Sequence, residues 1–440
     1  MATIKPSSKA AAPAASQPTI ERAADFIGGL GVNTHLGNKG QTAANIIADM
    51  AYLGLDNIRQ QAIGPKTPAS AVAAYGQMAA AGLKFDWLTG ADLGATLSDL
   101  KSFLKARPGS VAAVEGPNEV NNFAFSYNGH TGTTAAVAYQ ASLYAAVKGD
   151  PLTRSIPVLN FTDSPRTAGA ADAANAHPYP KQGKQPLDAL TTALTAYQRL
   201  MPGKPIYFTE AGYFSLPGKF GWEGVDETTQ AKLDLNLIMD AEKLGSQGTY
   251  LYDLIDDGAD PSGTIGADHF GLFTLSGQAK PAATAIHNLT SILADGGAGA
   301  ASFTPTPLDY SISGLPANGS SLALEKSDGT YDIIVWAEPQ IWDPSSHKEV
   351  AAPGQSVTVE LGSSFAQVSV FDPLASASAI QTSVNASAAT INLSDHPLIV
   401  QVSNFAQAMA GAAAGDGALG GAVPAAATAQ VAPVLLSGHA

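Results

Sequence analysis

Apolar and polar positions come in blocks along this chain, and the blocks predict a repeated order of strand, then helix. Short apolar runs bounded by turn residues recur at 26–35, 56–60, 84–89, 112–117, 157–161, 174–179, 205–212 and 248–255. Their length suits buried strands. Helical patterns follow at 42–53 closed by Gly54, 69–81 closed by Gly82, 96–106 before Pro108, and 133–147 before Gly149. Four more complete the set: a short one at 167–172, 186–200 before Pro202, 226–244 closed by Gly245, and 281–294 before Gly296. A glycine just past a helical run supplies the left-handed turn that ends it, and a proline cannot continue it. Eight such units over about 270 residues predict the α/β class in its closed form, a (β/α)8 TIM barrel. An open doubly wound sheet is the alternative. It would usually carry a glycine-rich phosphate turn, and Gly28-Gly29-Leu30-Gly31 lacks the G-x-G-x-x-G spacing.

After Phe303 the pattern changes to short alternating segments at 321–325, 331–337, 356–361, 367–371, 390–393 and 398–402, with Ser327-Asp328-Gly329 marking a hairpin. This predicts a small C-terminal β-sandwich supporting the barrel. The chain therefore divides into a flexible segment at 1–18, the barrel at 19–300, the sandwich at 301–404 and a flexible Ala/Gly-rich tail at 405–440. The tail is apolar by count, but Ala, Gly and Pro partition weakly into hydrocarbon, so it does not read as a membrane span.

Composition narrows the possibilities further. Without cysteine there is no disulfide scaffold, thiolate metal site or cysteine nucleophile. A formal charge of −14 argues against nucleic acid and membrane surfaces as partners, because both need clustered Lys and Arg.

In a barrel, chemistry sits at the C-terminal ends of the strands. The fourth strand leads into Val114-Glu115-Gly116-Pro117-Asn118-Glu119 and the seventh into Tyr207-Phe208-Thr209-Glu210-Ala211-Gly212. Glu119 and Glu210 are thereby expected on one rim, facing each other. A carboxylate pair across a sugar-sized gap is what glycoside hydrolysis needs, one as proton donor and one as nucleophile or base. The bland alternative is that 37 acidic residues place some Glu at strand ends by coincidence.

The string Gly116-Pro117-Asn118-Glu119, followed by Phe208-Thr209-Glu210, resembles the clan A glycoside hydrolases, with glycoside hydrolase family 39 and bacterial exopolysaccharide hydrolases nearest. The resemblance implies that Glu119 is the acid/base, Glu210 the nucleophile, and Asn118 a contact to the sugar 2-hydroxyl. It also implies that Arg59 positions the nucleophile, and it matches His177-Pro178-Tyr179 to a strand-six His-x-Tyr whose Tyr bonds the nucleophile. The implied activity is retaining hydrolysis of β-glycosidic bonds in a carbohydrate substrate, without cofactor, with Glu119 kept protonated by the charge of Glu210. Transfer to a sugar acceptor, or non-catalytic polysaccharide binding, are the alternatives. One departure stands out: many clan members have a Trp at the end of strand eight, where this chain has Leu251-Tyr252-Asp253-Leu254. Tyr252 or Trp222 is then expected to stack the sugar.

Other positions remain open. Glu115 is expected behind the site. His35 reads as a rim residue that binds substrate or as a loop cap, and Trp87 as a cleft residue or barrel packing. Asp253, Asp256, Asp257 and Asp260 read as a solvated loop rather than a calcium site. His177, His269 and His287 are scattered and no H-E-x-x-H occurs, so no metal is expected. Trp336 and Trp342 read as sandwich core or as its seam with the barrel. A polysaccharide substrate favours a secreted or envelope location, although no N-terminal signal is seen, and the tail could serve export.

Overall fold

The computed structural model describes residues 20–64, 67–218 and 224–404. The segments at 1–18 and 405–440 lie outside the described residues. Eight parallel strands form the barrel: β1 (Leu30–Asn33), β2 (Asn57–Gln61), β3 (Lys84–Leu88), β4 (Val111–Glu115), β5 (Val158–Leu159), β6 (Ala174–Ala176), β7 (Ile206–Ala211) and β8 (Ser246–Leu251). They pair in the order β5-β4-β3-β2-β1-β8-β7-β6. A single parallel bridge between Leu159 and Ala173 closes the ring. There the Asn160 N–H donates to the Ala173 carbonyl at 3.0 Å.

Seven helices pack around the strands: α1 (Ala43–Leu53), α2 (Ala69–Ala80), α3 (Leu93–Ala106), α4 (Gly132–Gly149), α5 (Leu187–Leu200), α6 (Glu227–Lys243) and α7 (Pro281–Leu293). Side-chain caps set several starts. Thr42, Asp92 and Asp226 each accept a hydrogen bond from the backbone N–H three residues on, satisfying a donor that the helix leaves open. The Asp92 cap begins α3 three residues earlier than the apolar pattern suggests.

Two expected elements differ. Of 26–35, the first residues belong to a short helix (Ala23–Gly28) that buries Ala23 and Phe26 at helical spacing, and only Leu30–Asn33 is strand. The expected helix at 167–172 is a loop. The Asn160 side chain donates to the Thr167 carbonyl at 2.8 Å and accepts from Gly169 N–H at 2.8 Å. These bonds satisfy backbone groups that a helix would otherwise have paired.

The sandwich consists of β9 (Tyr310–Ser313), β10 (Gly319–Glu325), β11 (Tyr331–Ala337), β12 (Gln355–Phe371), β13 (Ala379–Leu393) and β14 (Leu398–Ser403). The strands expected at 356–361 and 367–371 are one long β12, whose pairing with β13 shifts between Glu360 and Phe365. Its first part pairs with β9 and its second with β14. The chain's first described strand, Ile20–Arg22, pairs in parallel with β10, so this sheet takes in residues from before the barrel.

Helix α6 is buried along most of its length, because the barrel covers one face and the sandwich the other. Trp336 Nε1 donates to Asp240 on α6 at 2.9 Å, which places this tryptophan in the seam. Nearby, Lys232 on α6 pairs with Asp395 at 2.9 Å. His396 lies 2.7 Å from Asp395 and 3.1 Å from Asp372. Burial opposes a charge on His396, but the two carboxylates outweigh it and push its pKa up from 6.5 to about 9. A histidine raised in this way stabilises the fold fully below its unfolded value and loses that contribution as pH climbs to its folded one. The thermal midpoint should therefore fall between pH 6.5 and 9. His396→Gln should remove most of that slope, at most about 3 kcal/mol, as read by thermal unfolding across that range.

Candidate active site

The site is built around a buried arginine. Arg59 on β2 gives Nε and Nη2 to Glu115 at 2.6 and 2.8 Å, Nη1 to Glu210 at 2.5 Å and to Asn33 at 2.9 Å, and Nη2 to Asn118 at 2.8 Å. Burial would weaken its charge, but Glu115 and Glu210 outweigh that and drive its pKa higher still. Glu115 thus lies behind the site, as expected. Asp86, on the inward side of β3, is fully buried. Burial and then the charge of Glu115 push its pKa up, which favours the neutral acid.

Glu210 ends β7 with both oxygens held: Oε1 by Arg59, and Oε2 by the Tyr179 hydroxyl at 2.8 Å. Burial and the carboxylate of Glu210 raise the Tyr179 pKa, so the hydroxyl keeps the proton it donates.

Glu119 sits beyond β4 on a loop whose path is tightly specified. At Gly116 an added Cβ would collide with the Gln140 side chain and the Phe161 backbone. Glu119 itself has φ +39°, a left-handed conformation uncommon outside glycine. The loop after β5 clamps it there: Glu119 N–H donates to Thr162 Oγ1 at 2.8 Å, and Val120 N–H donates to the Thr162 carbonyl at 3.1 Å. The carboxyl group contacts His177 Nδ1 at 2.8 Å through Oε1 and accepts from Asn122 at 2.8 Å through Oε2. The hydrogen bond to His177 is the main cause that lowers its pKa, against the effect of burial. The expectation that Glu210 keeps Glu119 protonated is therefore corrected. The charge of Glu210 is taken up by Arg59, and the strongest influence on Glu119 is the imidazole beside it.

Oxygens of Glu119 and Glu210, together with a His177 nitrogen, lie within 4.8 Å of one another. Both glutamates open on a cavity of about 450 Å³ that is also lined by Arg59, Asn118, Tyr179, His35 and Tyr252. Arg59 takes up Asn118 Oδ1, which leaves the amide nitrogen for the cavity. On the far side of Glu119 lies a second cavity of about 350 Å³, lined by Glu119, Asn122, Asp163, Arg166, His177 and Lys181, but not by Glu210.

Trp87 is not in the cleft. Side chains alternate along a strand, so Trp87 shares the outer face of β3 with Phe85 and packs on Tyr75 and Phe103 of the surrounding helices. The same alternation, applied to Lys84-Phe85-Asp86-Trp87, would have pointed Asp86 inward. Trp222 lies outside the described residues. The aromatic wall that the structure does show joins Tyr252, Tyr179 and Phe270, with ring centres 5.3 to 6.1 Å apart. Phe270 comes from the loop after β8 and carries no strand-end signal in the sequence.

His35 is on the rim, with Nδ1 3.0 Å from Asp257 and 3.5 Å from Asp253. The acidic run is not a solvated loop: Asp253, Asp256 and Asp260 are buried. Asp256 pairs with Lys280 at 2.6 Å, and Asp260 accepts from the Thr264 and Ile265 N–H groups. Among the described residues two groups could offer three metal ligands each, Glu119/His177/Glu210 and His35/Asp253/Asp257. In the first, Arg59 and Tyr179 already occupy Glu210. In the second, burial and then Asp257 raise the pKa of Asp253, which favours its weakly ligating neutral form.

Neither a protein-family model nor a curated protein sequence matches this chain. Solved structures do. A glucosidase from Croceicoccus marinus aligns at a TM-score of 0.59 with 12% identity, over 88% of this chain and 97% of that one. A β-1,3-glucanosyltransferase from Rhizomucor miehei aligns at 0.45 with 16% identity, over 57% of this chain and 96% of that one. The class is thus a TIM barrel with a β-sandwich module, an architecture shared with the glucosidase over most of both chains. At this identity the likeness establishes the fold, and the chemistry rests on the site.

Proposed function

We propose that the protein is a retaining glycoside hydrolase acting on a β-linked oligo- or polysaccharide. The observation that carries this reading is the pair of glutamates opening on one cavity, with one oxygen of Glu119 within 4.8 Å of one oxygen of Glu210. Retaining enzymes keep their carboxyl groups about 5–5.5 Å apart, and inverting ones leave about 6.5–9.5 Å for a water. Glu210 suits the nucleophile, because Arg59 and Tyr179 hold its two oxygens and aim the carboxylate into the cavity. Glu119 suits the acid and base, because it separates the two cavities. The sugar that forms the intermediate then lies over Glu210 against Tyr252, and the leaving group lies in the cavity that holds Glu119 without Glu210.

Proton NMR of the first-formed product tests this. Release of the same anomer as the substrate supports the reading, whereas the opposite anomer would sink it. Transfer to an acceptor sugar uses the same intermediate, and product analysis with and without acceptor distinguishes it from hydrolysis. The resemblance to exopolysaccharide hydrolases makes bacterial exopolysaccharides the first substrates to screen, alongside chromogenic β-glycosides.

A further inference from the structure

The contact between Glu119 and His177 determines how many protons the site holds. A hydrogen-bond chain reaches this contact from a buried end at Asn175. Asn175 Nδ2 donates to the Asn160 carbonyl at 3.3 Å, so its Oδ1 is the atom 2.7 Å from Thr209 Oγ1. An amide oxygen has no proton to give, so the Thr209 hydroxyl must donate. That is its only proton. Toward His177 Nε2, 3.1 Å away, the hydroxyl can only accept, and Nε2 therefore carries a hydrogen. On the other side of the ring, Nδ1 faces Glu119 Oε1 at 2.8 Å. If the ring is neutral, Nδ1 is bare and Glu119 must be protonated. If the ring is charged, Nδ1 carries the proton and Glu119 is ionised. Either way one proton lies between them.

We propose that Glu119 and His177 hold this proton in common, and that the pair, with its tautomer set by Thr209 and Asn175, is the acid and the base of the reaction. The catalytic part rests on the hydrolase reading above. In the first step the glycosidic C–O bond breaks, the anomeric carbon bonds to a Glu210 oxygen, and the leaving oxygen takes the pair's proton through Glu119. The pair is then a carboxylate against a bare Nδ1. Two acceptors so close repel each other, which raises their appetite for a proton. In the second step a water oxygen bonds to the anomeric carbon, the bond to Glu210 breaks, and the water's proton returns to the pair. One proton leaves and one comes back.

The titration belongs to the pair and to the groups facing it. These are Glu210 on β7, whose Oε2 lies 3.5 Å from Nδ1, with Arg59 on β2 and Tyr179 after β6. Across the leaving-group cavity they are Asp163, Arg166 and Lys181. Thr209, which lines neither cavity, and Asn175, fully buried at the edge of the leaving-group cavity, act through His177 and are positioning residues.

Thr209→Val removes the acceptor for Nε2–H. The neutral ring can then carry its single proton on Nδ1 and donate it to an ionised Glu119, so the pair loses its spare proton at lower pH. The alkaline limb of kcat/KM should move down by at least one pH unit in Thr209→Val and stay in place in Thr209→Ser. An unmoved limb in a folded Thr209→Val protein would overturn the proposal, since a purely structural defect lowers the profile without shifting it. Histidine ¹⁵N NMR of the unmodified protein gives a readout that needs neither turnover nor a stable variant, with the His177 signal assigned by its loss in His177→Gln. Nε2 should stay protonated on both sides of the transition while Nδ1 changes. A neutral ring protonated on Nδ1 with Nε2 bare would also overturn the proposal. Absence of turnover on every glycoside would defeat the hydrolase reading, and the spectrum would still decide on the shared proton.

Discussion

Glu210→Ala is expected to lower kcat by roughly 10⁴-fold or more, with the fold intact. If Glu210 is the nucleophile, the substitution removes the atom that bonds to the anomeric carbon, and among the described residues Glu115 cannot replace it, being locked to Arg59 by two hydrogen bonds on the far side of the guanidinium. Azide added to the variant should enter the space left by the side chain and yield a glycosyl azide of inverted configuration. The variant also leaves Arg59 with one carboxylate fewer, although Glu115 and Asn118 still hold it. A drop in kcat accompanied by a normal unfolding midpoint separates the chemical role from the structural one. Turnover within about tenfold of the unmodified protein would remove Glu210 from the mechanism.

Glu119→Ala should be selective. Loss of general acid catalysis costs about 10²–10⁴-fold where the leaving group needs a proton, and far less for a nitrophenolate that departs as an anion. With such activated substrates release of the intermediate becomes slow, and azide should speed it and give a product of retained configuration. Opposite azide stereochemistry in the two variants assigns the two roles independently of any sequence comparison. An equal loss on activated and unactivated substrates would contradict the acid role of Glu119.

Much of this arrangement is legible in the sequence. Apolar runs and their glycine or proline stops mark all eight strands and seven helices, because burial and helix termination are local properties. Arg59, Asn118, Glu119, Tyr179 and Glu210 fall on strand ends or the turns just after them, and the structure brings them to one cavity. What the sequence conceals comes from contacts between distant segments. Phe270 reaches the wall from a long loop, Thr209 and Asn175 act through His177, and Asn160 replaces a helix with two side-chain hydrogen bonds. Trp87 is a different case: its position at a strand end leaves a cleft role and barrel packing both open, and the two-residue alternation of β3 decides for packing. The charge state of Glu119 also escapes a reading of carboxylates alone, since it depends on an imidazole 58 residues away in the chain.

The loop after β5 has no helix behind it, and it does two things at once. Thr162 holds Glu119 in its left-handed conformation, while Asp163 and Arg166 of the same loop line the second cavity, the one proposed for the leaving group. In evolutionary terms these are linked traits. If Glu119 is the proton donor, a lineage cannot remodel this loop for a new leaving group without also re-aiming it, so changes in substrate range here should arrive together with changes in pH optimum.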